Sequence, residues 1–186
     1  ALLDKQKKEN GECIITTVLF DDKYELLHDR TNVKGVLPIT DREYYVRGCT
    51  ALLDAVGKTI SKIGNAQKNT ADSEQAEKVM FVITTDGMEN ASREYSYEKV
   101  KAMIERQKSC YGWEFIFLGA NIDAIETAAL FGISADRAVN YNADVKGTQL
   151  NYEVVSETVS RLRKNQAISS DWKERIDEDY KTRGNK

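Results

Sequence analysis

Two short stretches of the sequence gather residues able to hold a hard cation. Arg47-Gly48-Cys49-Thr50-Ala51-Leu52-Leu53-Asp54 sets a glycine ahead of a hydroxyl at the mouth of a helix-patterned run, and Thr84-Thr85-Asp86-Gly87-Met88-Glu89-Asn90 sets a carboxylate after a short apolar run and a glycine after the carboxylate. Mg²⁺ or Mn²⁺ is held by one or two carboxylates with hydroxyls and waters in a near-octahedral array. Thr50 and Asp86 together would supply part of such a shell. Each also has an ordinary structural role open to it: Thr50 as the cap of its helix, and Asp86-Gly87 as a turn.

Other reactive residues have plainer readings. His28 is the single histidine, and no GxSxG string accompanies it, so a structural or solvent role is expected. Asp21 and Asp22 could pair for acid-base work, but turn propensity explains them. Gly57-Lys58-Thr59 lies inside a helical pattern and lacks the earlier glycine of a phosphate-binding loop. Tyr44, Tyr45, Tyr95 and Tyr97 flank the two stretches and would suit either a protein-contact rim or helix packing. Three cysteines, Cys13, Cys49 and Cys110, have no CxxC spacing and read as reduced, with Cys13 and Cys110 near core elements.

The elements that must position Thr50 and Asp86 follow from periodicity. Glu12 to Phe20 is rich in β-branched and apolar residues, Asp21-Asp22-Lys23 supplies a turn, and Tyr24 to Asp29 returns as the antiparallel partner. Arg30 to Tyr45 holds the single proline, Pro38, and reads as a connection with one helical turn near Thr40 to Glu43. From Thr50, residues Leu52, Leu53, Val56, Ile60 and Ile63 share a helix face that Gly64-Asn65 is expected to end. Residues 65 to 78 read as a solvent loop or a frayed helical extension. Val79 to Ile83 is an unbroken apolar run, typical of a strand covered on both faces. A helix over Tyr97 to Lys108, a strand over Trp113 to Leu118, a helix over Asn121 to Phe131 and a short strand over Arg137 to Tyr141 follow. Thr148 to Leu162 forms a last helix.

This alternation predicts an α/β, Rossmann-like fold, with a mostly parallel sheet, an antiparallel edge hairpin and helices on both faces. In such a sheet ligands meet the carboxyl ends of the strands, where both candidate stretches fall and where Gly119-Ala120-Asn121 could also line the site or simply start a helix. Residues 1–162 are expected to form one domain and 163–186 a weakly packed polar tail. At 186 residues, 41% hydrophobic and 31% charged with a net charge of −3, the chain suits a globular surface without the basic excess that nucleic acid attracts. No apolar run is long enough to span a membrane, so a cytoplasmic address without membrane contact is expected. Ala1 to Asn10 reads as the second half of a helix with Gly11 as its stop, which leads to the expectation of a preceding segment.

The strings Gly48-Cys49-Thr50-Ala51-Leu52-Leu53-Asp54-Ala55 and Val82-Ile83-Thr84-Thr85-Asp86-Gly87-Met88-Glu89-Asn90 resemble the second and third metal-site loops of the von Willebrand factor A family. The hairpin and the later order of elements match too, so the resemblance spans roughly residues 1–162, and it is closest to stand-alone bacterial and phage-type members. It implies that Thr50 and Asp86 belong to a metal-ion-dependent adhesion site, with Mg²⁺ or Mn²⁺ as the ion. The implied function is protein binding, not catalysis, through a carboxylate of an unidentified protein partner. The alternative is a Mg²⁺-dependent enzyme acting on a phosphorylated small molecule and using Asp86.

One departure stands against the match: the family's principal metal loop, Asp-x-Ser-x-Ser after its first and central strand, occurs nowhere in these residues. Weak or absent Mg²⁺ binding by this chain alone is therefore expected. Without that strand two sheet edges lack a partner, and unpaired buried backbone groups cost about 1–3 kcal/mol each. The expected remedies are an upstream segment, direct pairing of the two edges, or self-association with another copy through them.

Overall fold

The computed structural model describes residues 2–37, 39 and 48–183. It is a mixed α/β fold with two separate sheets. Strands β1 (Ile14–Phe20) and β2 (Tyr24–Asn32) form an antiparallel hairpin. Strands β3 (Met80–Thr85), β4 (Glu114–Gly119) and β5 (Ala138–Asn140) form a parallel sheet in the order β3-β4-β5. The helices are α1 (Leu2–Lys8), α2 (Leu52–Lys68), α3 (Tyr97–Tyr111), α4 (Ala124–Leu130), α5 (Val145–Arg163) and α6 (Glu174–Arg183). No helix among the described residues is long and apolar enough to cross a membrane.

The period of two in β4 divides the core. Phe115 and Phe117 point to one side, where they meet Ile83, Ala138 and the buried residues of α2, α3 and α4. Ile116 and Leu118 point to the other, where they meet Val139, Val154 and Val155 of α5, and Ile168, Trp172 and Ile176. Helices therefore cover both faces of the parallel sheet, as the apolar, strand-length runs required. Gly11, just beyond α1, has φ +85°, in keeping with its reading as a helix stop. Gln6 of α1 is buried and donates from Nε2 to the Ser156 carbonyl at 2.9 Å and to Ser160 Oγ at 3.0 Å, which ties α1 to α5.

Several expectations require correction. Gly64-Asn65 does not end α2, which runs on through the good helix formers Ala66, Gln67 and Lys68 to a cap at Asn69. The expected turn at Thr40 to Glu43 lies outside the described residues, and so do Tyr44 and Tyr45. Cys110 is exposed, at the solvent end of α3, and not near the core. The two sheets do not pair directly. Strand β3 is covered on one face only: Val82 is 39% exposed and Thr84 is exposed, because the buried side chains of α5 reach β4 and β5 but meet β3 only at the half-buried Met80.

The stretch read as a polar tail packs firmly. Trp172 and Ile176 are buried in the second cluster, and the Trp172 indole donates to the Asp136 carbonyl at 2.7 Å. At the far end of α6, the Arg183 guanidinium holds the Asp179 carboxyl down at about 2, helped by the side-chain amide of Asn142. Replacement of Ile176 by valine is expected to lower unfolding free energy by about 1 kcal/mol, as deletion of a buried methylene does. A loosely attached tail would leave the urea midpoint unmoved.

Candidate functional site

Thr50 sits two residues before α2, and Asp86 directly follows β3. The fold brings them together. The Thr50 amide donates to Asn90 Oδ1 at 2.9 Å, and the Asn90 amide donates back to the Thr50 carbonyl at 3.0 Å. Gly87 lies so close to the Thr50 side chain that a Cβ built on it would sit 3.3 Å from Oγ1. Thr50 is half-buried and Asp86 exposed, so a half-buried hydroxyl and a solvent-facing carboxylate occupy neighbouring positions on the carboxyl rim of the sheet.

The structure removes the plainer reading of Thr50. The cap position of α2 is Ala51, which offers no side chain. Glu89 serves instead: its Oε2 accepts from the Leu53 amide at 2.8 Å, placing a carboxylate at the positive end of the helix. Ser92 Oγ accepts from the Asp54 amide at 3.0 Å. Gly87 also differs from expectation. It is not among the residues of positive φ, so the turn does not demand glycine, whereas the close approach of Thr50 does.

Two carboxylates that sequence reading left without a role hold this rim in shape. Glu89 accepts from the amides of Ala91 and Ser92 at 2.9 and 2.7 Å and from Ser92 Oγ at 2.8 Å, in addition to its bond to Leu53. Asp54, 8% exposed, accepts from the amides of Arg93, Glu94 and Tyr95, each at 3.0 Å. Burial by itself would raise the Asp54 pKa, but these three donors outweigh it and hold the carboxyl below its ordinary value. The 86–95 loop is thus bolted to the start of α2 by bonds spanning some forty positions in sequence. The one signal available beforehand was that Asp54 lies in the first turn of a helix and Glu89-Asn90 beside a strand end.

The neighbouring strand ends complete the rim. The Ala120 amide donates to the Thr85 carbonyl at 2.9 Å, which sets the end of β4 beside the end of β3. Asn121 follows, exposed and left-handed at φ +57°. The Thr85 hydroxyl turns inward to donate to the Gly87 carbonyl at 2.9 Å. In donor chemistry Thr50 and Asp86 fit a hard divalent cation, and they supply one neutral oxygen and one charged group to it. Among the described residues no three His, Cys, Asp or Glu side chains gather in one place.

The remaining candidates take structural roles. His28 Nδ1 pairs with Thr17 Oγ1 at 3.0 Å across the hairpin. Asp21 accepts from the Lys23 amide at 2.6 Å in the hairpin turn, and its carbonyl accepts from the Ala51 amide at 2.7 Å. Lys58 pairs with Glu94 at 2.6 Å, and Thr59 Oγ1 donates to the Ala55 carbonyl at 2.7 Å, both within or beside α2. Tyr95 packs against Gly57 with Lys99 over its ring at 4.0 Å, and Tyr97 meets Phe131 edge-on at 5.4 Å. Comparison with family models, curated proteins and solved structures finds no match to this chain.

Proposed function

We propose that this chain is a Rossmann-like, von Willebrand factor A-type binding module in which Thr50 and Asp86 hold part of the shell of a Mg²⁺ or Mn²⁺ ion. The ion, when bound, supplies an open coordination position for a carboxylate of a partner protein. The observation that carries this reading is the contact of the Thr50 side chain with Gly87, next to the exposed Asp86, on a rim that Glu89, Asn90 and Asp54 hold in place. Each residue has a defined part: Asp86 supplies the charge, Thr50 a neutral oxygen, and the anchored loop keeps the two together before any ion arrives. Preorganisation of this kind lowers the ordering cost of binding.

One hydroxyl and one carboxylate make a thin shell for a strongly hydrated cation. Calorimetry on this chain is therefore expected to show no low-micromolar Mg²⁺ affinity. Paramagnetic Mn²⁺ reports weaker binding. In a titration followed by amide nuclear magnetic resonance, the signals of Thr50, Asp86 and Gly87 are expected to broaden before all others, and Asp86→Asn to abolish that preference. Broadening that begins elsewhere, or that persists unchanged in Asp86→Asn, rules the site out.

A further inference from the structure

The strands of this protein guard their free edges unequally. At the β5 side, the Lys173 ammonium donates to the carbonyls of Ala138 and Ala135 at 2.6 and 2.7 Å, and the Trp172 indole bonds to Asp136 alongside. The hairpin carries register shifts at Ile15/Thr17 and Thr17/Val18, a left-handed Arg30 at φ +48°, and an Asp29 carboxylate paired with Lys62 at 2.8 Å. Charges, bulges and a covering segment are the devices that stop strands from adding to an edge. Strand β3 has none of them. It is hydrogen-bonded to β4 alone, its six pairs with β4 run without a shift, and Met-Phe-Val-Ile-Thr-Thr contains neither charge nor proline.

From this contrast we infer that β3 is a self-association edge, at which a second copy of this chain pairs its own β3 antiparallel about a two-fold axis through Val82. That register sets Val82 against the Val82 of the second copy, Met80 against Thr84, and Phe81 against Ile83. Paired residues of an antiparallel ladder share a face. In this register the more exposed face meets its own kind, and the side lined by Phe81 and Ile83 continues across the axis. No like charges oppose one another anywhere along it. The half-open Val82, 39% exposed in the single chain, gains cover from its symmetry mate.

The same contrast sets the size of the assembly. Each chain offers one unguarded edge, and an isologous contact consumes both, so association closes at two copies and does not propagate into a fibre. The antiparallel arrangement sends the two carboxyl rims in opposite directions, leaving both Thr50–Asp86 sites open at opposite ends.

Sedimentation equilibrium of the whole chain over rising concentration tests this. The weight-average mass is expected to climb from one chain toward two and no further. Val82→Lys, which places two ammonium groups face to face across the axis, is expected to weaken association by about tenfold or more. Thr84→Lys, opposite Met80, is expected to weaken it less. A chain that stays monomeric at every concentration, a mass that grows past two, or a dimer indifferent to Val82→Lys overturns the inference. Should Val82→Lys fail to fold by circular dichroism, the wild-type chain still decides: amide exchange over 80–84 must slow as concentration rises, and rates independent of concentration refute the pairing.

Discussion

Asp54→Ala is expected to remove about 3–5 kcal/mol of unfolding free energy, because it leaves three amide donors at the base of the 86–95 loop without an acceptor. No neighbouring residue replaces an acceptor that serves Arg93, Glu94 and Tyr95 at once. The effect carries a pH signature. A carboxyl whose folded pKa lies below its unfolded value stabilises the fold fully above about pH 3.9 and loses that contribution as pH falls through the folded value. Urea titrations of both proteins from pH 7 downward should therefore converge in acid. A gap between them that stays constant to the lowest pH at which the protein folds would mean that the carboxylate charge is not what holds the loop. The loss should also reach the metal rim, since Thr50 and Asp86 keep their relative places through the same loop.

Gly147→Ala is expected to cost about 3 kcal/mol, at the upper end of what overpacking imposes on a close-packed site. A Cβ at this position would lie closer than 3.0 Å to the Asn142 carbonyl oxygen, and backbone cannot swing aside as a side-chain end can. The position is also anchored from two sides. Its amide donates to Asp144 Oδ1 at 2.7 Å, capping α5, while the Asn142 side chain is held by Asp179 of α6 at 3.1 Å. A fall in Tm of roughly 6–12 °C for a chain of this length is the corresponding calorimetric result. Gly64→Ala, on an open helix surface with only the Gln107 amide at 3.8 Å, is the control and should be neutral or mildly stabilising. Equal shifts in the two variants would show that helix propensity, and not the approach to Asn142, governs Gly147.

Both effects arise where distant segments meet, and this is also where sequence reading fell short. The apolar run ending at Ile83, the Trp113 to Leu118 run and the helix faces of Leu52 to Ile60 and Val154 to Leu162 were legible because a period of two or 3.6 is written along neighbouring residues. Candidate positions Thr50 and Asp86 were legible because ligand sites in covered parallel sheets gather at the carboxyl ends of strands. The roles of Glu89 and Asp54 were not, since each depends on a partner that stands close only after the chain has folded.

Residues 174–183 show the same limit. Mean hydropathy over Glu174 to Arg183 is low, and the helix is held by Ile176, by the preceding Trp172 and by the Arg183 pairing, none of which makes a periodic stripe. Strand β3 errs in the opposite direction, as its apolar run implied two covered faces where one is open at Val82 and Thr84. Local pattern determined which segments of this protein are strands and helices and where a cation site could stand. Tertiary structure alone decided which carboxylates brace that site, which strand edge stays bare and how the last helix closes the second core, because burial and hydrogen-bond satisfaction are properties of segments in contact and not of any one segment.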